Sequence, residues 1–492
     1  FPSDFIWGVG SSSLQMEEDH SSRGASIWDT SLKDHQSGLA NSKNEQPTGS
    51  TPKLAHTLLP ALEFLGVNFY HFSFSWPRLF PEGSGAPSDH GVQYYNNMIN
   101  LLISKNVMPV ITLYHWDLPA AIQEKYGGWA NDSVTQLFND YARFCFQRFG
   151  DRVKYWITMH NPYLIAWHGY GTGLHAPWKN CLPLPSHRRT CKSPARSNMS
   201  YQAVHNVLIA HAMAWHAYDK KYRSIQHGYV STALHADWAE AANPFIKSHA
   251  EAAERFLAFN IGWLAEPIFG TGDYPAHMRQ YINAKRQRGL STNTLPHFTK
   301  EERLLVKGSA DFLALNHFTT WLVRHQPLSD FDQDVNPFTD VTCLHSPGKL
   351  AVVPSGMRKL LKWIKRNYGD TPIYITANGI DDHSSKNDEI RIYYLQQYSR
   401  HLLQAYREDN INLRGYYAFK IPDSSSLCKE FWVRQHLSDA GWTLLIDKNS
   451  KKLANVYEKF MKGTSIEPSH CDYTKSSLIF SKRRRKGLRC PY

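Results

Sequence analysis

Short apolar runs alternate along this chain with stretches whose apolar residues recur at three- and four-residue steps. The runs predict eight strands: Phe5–Gly10, Gly66–Trp76, Met108–Trp116, Val153–Pro162, Tyr229–Trp238, Asp311–Thr320, Pro372–Gly379 and Arg414–Asp423. Between the third and fourth, Val134, Leu137, Phe138, Tyr141, Ala142, Cys145 and Phe149 share one helical face. Asn131 or Asp132 can cap that helix and Gly150 can end it. Met357, Leu360, Leu361, Ile364 and Tyr368 form a similar stripe before the seventh strand, and Ile392, Leu395, Tyr398, Leu402 and Ala405 before the eighth. Strands alternating with helices argue for parallel pairing through right-handed crossovers, and eight such units close into a single α/β (β/α)8 TIM barrel. A doubly wound sheet also alternates, but no glycine-rich phosphate loop follows the first strand.

Two stretches break the rhythm. Gln36–Ser50 is polar and irregular, and Asn180–Ser200 carries Pro183, Pro185, Pro194, two cysteines and several basic residues, so no core face runs through it. The second reads as a long surface loop or as a junction between two pieces of sequence. The expected organisation is a barrel over 1–465 with an irregular insertion near 180–200, then a basic, disordered tail over 466–492.

Composition narrows the classes. At 492 residues the chain is long for one domain but within reach of a barrel with insertions. A hydrophobic content of 42% and an aromatic content of 13% exclude global disorder. The net charge of +12 suggests an acidic partner, yet Lys482, Arg483, Arg484, Arg485, Lys486 and Arg489 crowd into the tail and leave the rest mildly basic. With no nucleic-acid motif, no nucleic-acid partner is expected. Seven scattered cysteines lack metal or redox spacing, so no metal and no cofactor is expected. Asn131 and Asn198 begin Asn-x-Ser sequons, glycosylation sites in a secreted protein. No apolar run is long enough to span a membrane, and the opening Phe1-Pro2-Ser3 shows no signal peptide, as in a mature or partial sequence.

In a barrel, chemistry collects at the C-terminal strand ends. Those ends present Gln15, His71, His115-Trp116-Asp117, His160-Asn161, His235, Asp237, Trp238, Asn316-His317, Ala377-Asn378 and Asp423. Aromatic rings beside hydrogen-bonding groups suit a sugar; the plainer reading is polar residues facing water. Five of the ends carry histidine, which raises a metal-dependent hydrolase. Such barrels show His-x-His after the first strand, where this chain has Gly10-Ser11-Ser12. Glu17, Asp117 and Asp237 lie near strand ends, but their spacing does not make them an acid and nucleophile pair.

The motifs carry a resemblance. Phe5–Gly8 leading to Leu14-Gln15, Phe72–Phe80, Thr112–Pro119, Tyr126–Trp129, Gly272–Pro275 and Asn378-Gly379 are similar to motifs of the family-1 glycoside hydrolases, in the same order and over nearly the whole chain. Within them the chain resembles the klotho family. Lys125–Trp167 is similar to a first repeat of the beta type, whereas Tyr201–Trp321 resembles a second repeat, and Tyr374–Asp382 and Gly415–Lys420 resemble klotho itself more than its beta type. That split implies a shortened or imperfectly joined product with its seam near 180–200.

The resemblance also implies a damaged active site. Retaining glycosidases place two carboxyl groups about 5–5.5 Å apart. The family's Asn-Glu-Pro on strand four is His160-Asn161-Pro162 here, and its Thr-Glu-Asn-Gly on strand seven is Thr376-Ala377-Asn378-Gly379. Asn161 cannot cycle a proton and Ala377 offers no nucleophile. The family's strand-two Arg aligns with His71, its strand-six Tyr with Phe318 and its strand-eight Trp with Phe419, while Gln15, His115, Trp116 and Asp117 are retained. The implied pocket comprises these residues with His160, Asn316 and His317. Its implied function is that of a pseudo-glycosidase on an extracellular or cell-surface ectodomain: a co-receptor for an endocrine fibroblast growth factor and its receptor tyrosine kinase, with a glycan as another ligand. The alternative is a β-glucosidase-type glycoside hydrolase.

Overall fold

A computed structural model of the chain describes residues 1–17, 22–33, 58–59, 62–63, 65–171, 175–177, 199–289, 294–325, 352–380 and 389–418. Its strands are β1 (Ile6–Gly10), β2 (Phe69–Ser73), β3 (Met108–Tyr114), β4 (Tyr155–His160), β5 (Tyr229–His235), β6 (Trp238–Ala241), β7 (Leu313–Asn316), β8 (Thr320–Val323), β9 (Ile373–Asn378) and β10 (Leu413–Ala418). Eight of them close into a parallel barrel in the order β1-β10-β9-β7-β5-β4-β3-β2; seven lie inside one predicted run each, and β10 starts one residue before its run, at Leu413. The sequence expectation missed β6 and β8. These pair with each other as a separate two-stranded parallel sheet, Trp238 opposite Thr320 and Ala241 opposite Val323.

Helices pack outside, where periodicity placed them. Ser133–Phe149 buries Val134, Phe138, Tyr141, Ala142, Cys145 and Phe149. Its start is held by Asn131, whose Oδ1 accepts from the Ser133 amide, and Gly150 closes it by donating to the Phe146 carbonyl. Ser355–Tyr368 buries its whole stripe, and Glu389–Arg407 buries Leu395, Tyr398, Leu402 and Ala405.

The barrel interior is layered, and the layering positions the site. Successive residues of a strand point to opposite faces, so inward positions recur every second residue. Ile6, Val110, Ile157, Ala233, Ala314 and Tyr417 form one apolar cluster with Phe69, Tyr155, Phe312 and Tyr374. Two glycines make room for its large rings: a Cβ on Gly8 would stand 2.3 Å from the Tyr417 ring and one on Gly415 would stand 2.8 Å from the Tyr374 ring.

Two residues further along, the same inward positions turn polar: His71 after Phe69, Thr112 after Val110, His235 after Ala233, Asn316 after Ala314 and Thr376 after Tyr374. Simple alternation would bring Met159 inward on β4. The register of β4 against β5 instead slips between Ile157 and His160, and that irregularity delivers His160 to the interior.

β4 and β5, which flank the irregular segment, pair with Tyr155 opposite Tyr229 and Trp156 opposite Val230, so the two halves build one barrel. Residues 199 and 200 of that segment already belong to the helix Met199–Lys221. Gln36–Ser50, residues 178–198, Asp423 and 419–492, including the predicted tail, lie outside the described residues.

Candidate functional site

The polar layer forms one hydrogen-bonded floor below the C-terminal mouth. Asn316 is its hub. Thr376 Oγ1 donates to Asn316 Oδ1 at 2.7 Å, which fixes the amide so that Nδ2 donates outward. One Nδ2 bond reaches Asn161 Oδ1 at 2.5 Å and another reaches His160 Nε2 at 3.1 Å. Because Nε2 accepts, the His160 imidazole carries its proton on Nδ1. The Asn316 backbone pairs in register with Ala377, so the residue whose side chain holds the strand-four position also lies beside the strand-seven position.

Histidines line the other side. The His160 ring stacks on His115 with centroids 4.0 Å apart and lies 5.7 Å from His71. His71 Nε2 shares a 2.7 Å hydrogen bond with Thr112 Oγ1. All three rings are neutral at ordinary pH. Burial lowers the pKa of His71 to about 4 and that of His115 to about 3, and burial with the neighbouring imidazoles takes His160 well below the histidine range. Among the described residues, no three His, Cys, Asp or Glu side chains are arranged to share a metal ion.

The rim is held in unusual backbone. Trp116 has φ +74° and Asn161 φ +51°. Asparagine tolerates this region, but tryptophan needs support. Trp116 is pinned twice: its Nε1 donates to the His160 carbonyl at 3.0 Å, and its carbonyl accepts from Trp28 Nε1 at 2.9 Å.

On the far side, the His317 amide donates to the Ala377 carbonyl and Asn378 Nδ2 donates to the His317 carbonyl. The Phe318 carbonyl accepts from the hydroxyls of Tyr394 and Tyr398. The Phe318 ring lies 5.8 Å from His235.

The nearby carboxylates are committed elsewhere. Glu17 accepts from Arg78 Nε at 2.7 Å and from the Tyr95 hydroxyl at 2.6 Å. Asp237 accepts from the amides of Phe318 and Thr319 and from Trp321 Nε1, tying β7 to the β6/β8 sheet. Burial opposes its charge, yet His235 at 3.5 Å and these donors hold its pKa well below the usual range. Asp117 takes a 3.0 Å bond from Ser13 Oγ, and the Ser13 amide in turn donates to Ser73 Oγ.

Burial, with the Glu17 charge adding, pushes Asp117 up to about 7. A carboxyl raised in the folded state gives stability that is fully present below pH 3.8 and lost as pH rises through 7. Between pH 4 and 8 the wild type is therefore expected to lose on the order of 4 kcal/mol relative to Asp117→Asn. Denaturant titrations at the two pH values read this directly, and parallel curves for the two proteins would contradict it.

Of the predicted pocket residues, the structure joins His71, His115, Trp116, His160, Asn161, Asn316 and Ala377 into the floor and its rim, with His317 and Phe318 alongside. Asp117 stands apart. Trp238, read from sequence as a possible stacking ring, instead donates to Glu240 and packs beside Gly356 of the helix Ser355–Tyr368. The Gln15 side chain, Phe419 and Asn198 lie outside the described residues. Sequence reasoning missed Thr112, Thr376 and Tyr394. The first two could have been found by counting inward positions from the apolar layer.

Comparison with known proteins agrees with this architecture. The profile described as glycosyl hydrolase family 1 matches residues 1–442. Mouse beta-klotho is 42% identical over 445 residues, 87% of this chain, and the chain spans only 40% of that relative's length. Human lactase-like protein is 40% identical, with 86% of this chain and 75% of the relative covered. A rice beta-glucosidase structure superposes with a TM-score of 0.73 at 34% identity, covering 85% of this chain and 89% of the other. No described helix is long and apolar enough to cross a membrane. With the barrel closed and the family profile running through it, the chain belongs to glycosyl hydrolase family 1.

Proposed function

We propose that this chain is a klotho-like pseudo-glycosidase, a barrel that binds at its mouth without cleaving glycosidic bonds. The observation that carries the reading is the closed polar circuit of the floor, in which the Asn316 amide spends its donors on Asn161 and His160. A retaining glycosidase aims two carboxyl groups at the anomeric carbon from these strand ends. Here one position is an amide already bonded within the protein and the other is Ala377, fully buried and without a functional group. Loss of the acid/base alone removes a factor of about 10²–10⁴, and loss of the nucleophile removes the covalent route.

A floor without ionised groups favours a ligand that covers the mouth over one whose hydroxyls must be met deep inside. By resemblance to the klothos, the ligand is a peptide segment of an endocrine fibroblast growth factor, presented to its receptor tyrosine kinase outside the cell. A C-terminal growth-factor peptide titrated into the purified chain is expected to bind saturably, and Trp116→Ala is expected to weaken binding about tenfold or more, as loss of a rim aromatic does. No binding at high micromolar peptide would remove the growth-factor reading.

The second reading is a β-glycosidase. It is favoured by the likeness to the rice beta-glucosidase and by His115 and Trp116, which keep the family's residues on one wall. Fold does not fix function, and the replaced positions weigh against it. A glycan held without cleavage remains the other ligand this site would take.

A further inference from the structure

Outside the floor and its rim, the turn that opens the helix Ser133–Phe149 carries the sequon Asn131-Asp132-Ser133. We propose that Asn131 bears an N-linked glycan at the mouth end of the barrel, attached without disturbing the helix start that the same side chain holds.

The two ends of the Asn131 amide are free for separate tasks. Oδ1 accepts from the Ser133 amide at 2.9 Å, closing an Asx turn and satisfying one of the donors that a helix start leaves unpaired. Nδ2 makes no hydrogen bond among the described residues. Glycan transfer uses only Nδ2. It attacks the anomeric carbon of a lipid-diphosphate-linked oligosaccharide, and a carbon–nitrogen bond forms there. The bond from that carbon to the diphosphate oxygen breaks, and the lipid diphosphate leaves with the electron pair. Nδ2 gives up one proton. The product is still an amide whose Oδ1 accepts, so the cap survives the modification.

The turn before the sequon is anchored. Gly127 and Gly128 have φ +83° and +69°, and a Cβ on Gly128 would run into Gln123 Oε1 and the Tyr170 hydroxyl. That hydroxyl accepts from the Trp129 amide at 2.8 Å, and the Trp129 carbonyl accepts from Asn206 Nδ2 at 2.8 Å. Trp129 is buried, Asn131 half-buried, and Asp132 and Ser133 exposed, so the chain emerges from the core at the sequon. The helix runs from here to Phe149, shortly before β4 begins at Tyr155. Its first residue therefore lies at the mouth end, and the glycan screens the flank between β3 and β4 from a docking partner. The second sequon differs, since Ser200, whose hydroxyl a transferase must reach, is 3% exposed within the helix Met199–Lys221.

The inference rests on the extracellular reading only for the secretory route that supplies the lipid-linked sugar. The chain is therefore expressed in mammalian cells behind a secretory leader, and its peptides are weighed after glycosidase release in heavy-oxygen water. Heavy-oxygen aspartate is expected at position 131 and is expected to vanish in Ser133→Ala. That variant keeps the backbone amide that Asn131 holds, so its denaturation midpoint is expected to match that of wild type trimmed to the first sugar. Asn131→Gln, whose longer side chain does not close the turn, is expected to have a lower midpoint. A secreted chain with Asn131 unmodified, or modified only at Asn198, would overturn the proposal. So would trimmed wild type as unstable as Asn131→Gln, because attachment would then break the cap. A modified Asn131 in a chain that binds no growth-factor peptide would support the site while removing the growth-factor reading.

Discussion

Ala377→Glu is expected to destabilise the barrel by about 3–5 kcal/mol, the usual cost of a buried charge without a partner, and to leave the protein unable to hydrolyse glycosides. Ala377 is fully buried between the Asn316 pairing and the His317 amide. A glutamate there brings extra volume into packed surroundings and a carboxylate into a floor without a cation. The nearest inward residue of β2 is His71, which is neutral. Adding His71→Arg supplies the missing charge and is expected to recover part of the loss. Adding Asn161→Glu instead places two carboxyls in one site, raises the pKa of at least one and lowers stability again. Thermal and denaturant melts at pH 8 check the order of the four proteins. A stable, active Asn161→Glu/Ala377→Glu double variant would mean that the floor is an intact active site lacking only two side chains.

Asp237→Ala is expected to cost about 3–5 kcal/mol, and Asp237→Asn about 1–3 kcal/mol, as when buried donors lose a charged acceptor. Three donors converge on this carboxylate: the amides of Phe318 and Thr319 and the Trp321 indole. Its pKa lies below the ordinary 3.8, so its contribution is present above that value and disappears as pH falls toward the folded pKa. The penalty of either substitution should therefore be full at pH 7 and shrink below about pH 4. Melting curves over that range measure it. A near-neutral Asp237→Ala would place Asp237 among the solvated strand-end residues.

Much of this was legible in the sequence. The eight apolar runs gave the barrel because each strand buries both faces and is followed by a helix whose stripe faces it. β6 and β8 were not legible: each has four residues, and Trp238 and Thr320 continue apolar runs begun by β5 and β7, with only a short polar break between. The residues of the floor were named from their strand-end positions, but their wiring was not. Whether His160 or Met159 points inward depends on a register slip, and an irregularity of one residue leaves no trace in periodicity. The roles of Glu17 and Asp237 were open for the same reason, since a carboxylate near a strand end reads alike whether it meets a substrate or Arg78 or a set of backbone amides.

The central claim is that the floor is closed on itself and performs no glycoside chemistry. Its most direct test is the release of aryl alcohol from an aryl β-glucoside by the purified chain at pH 5.5 and 7.4, followed against a heat-killed control. No release above the control at either pH is predicted. Release that scales with protein concentration and is suppressed by a sugar-shaped amine inhibitor would contradict it.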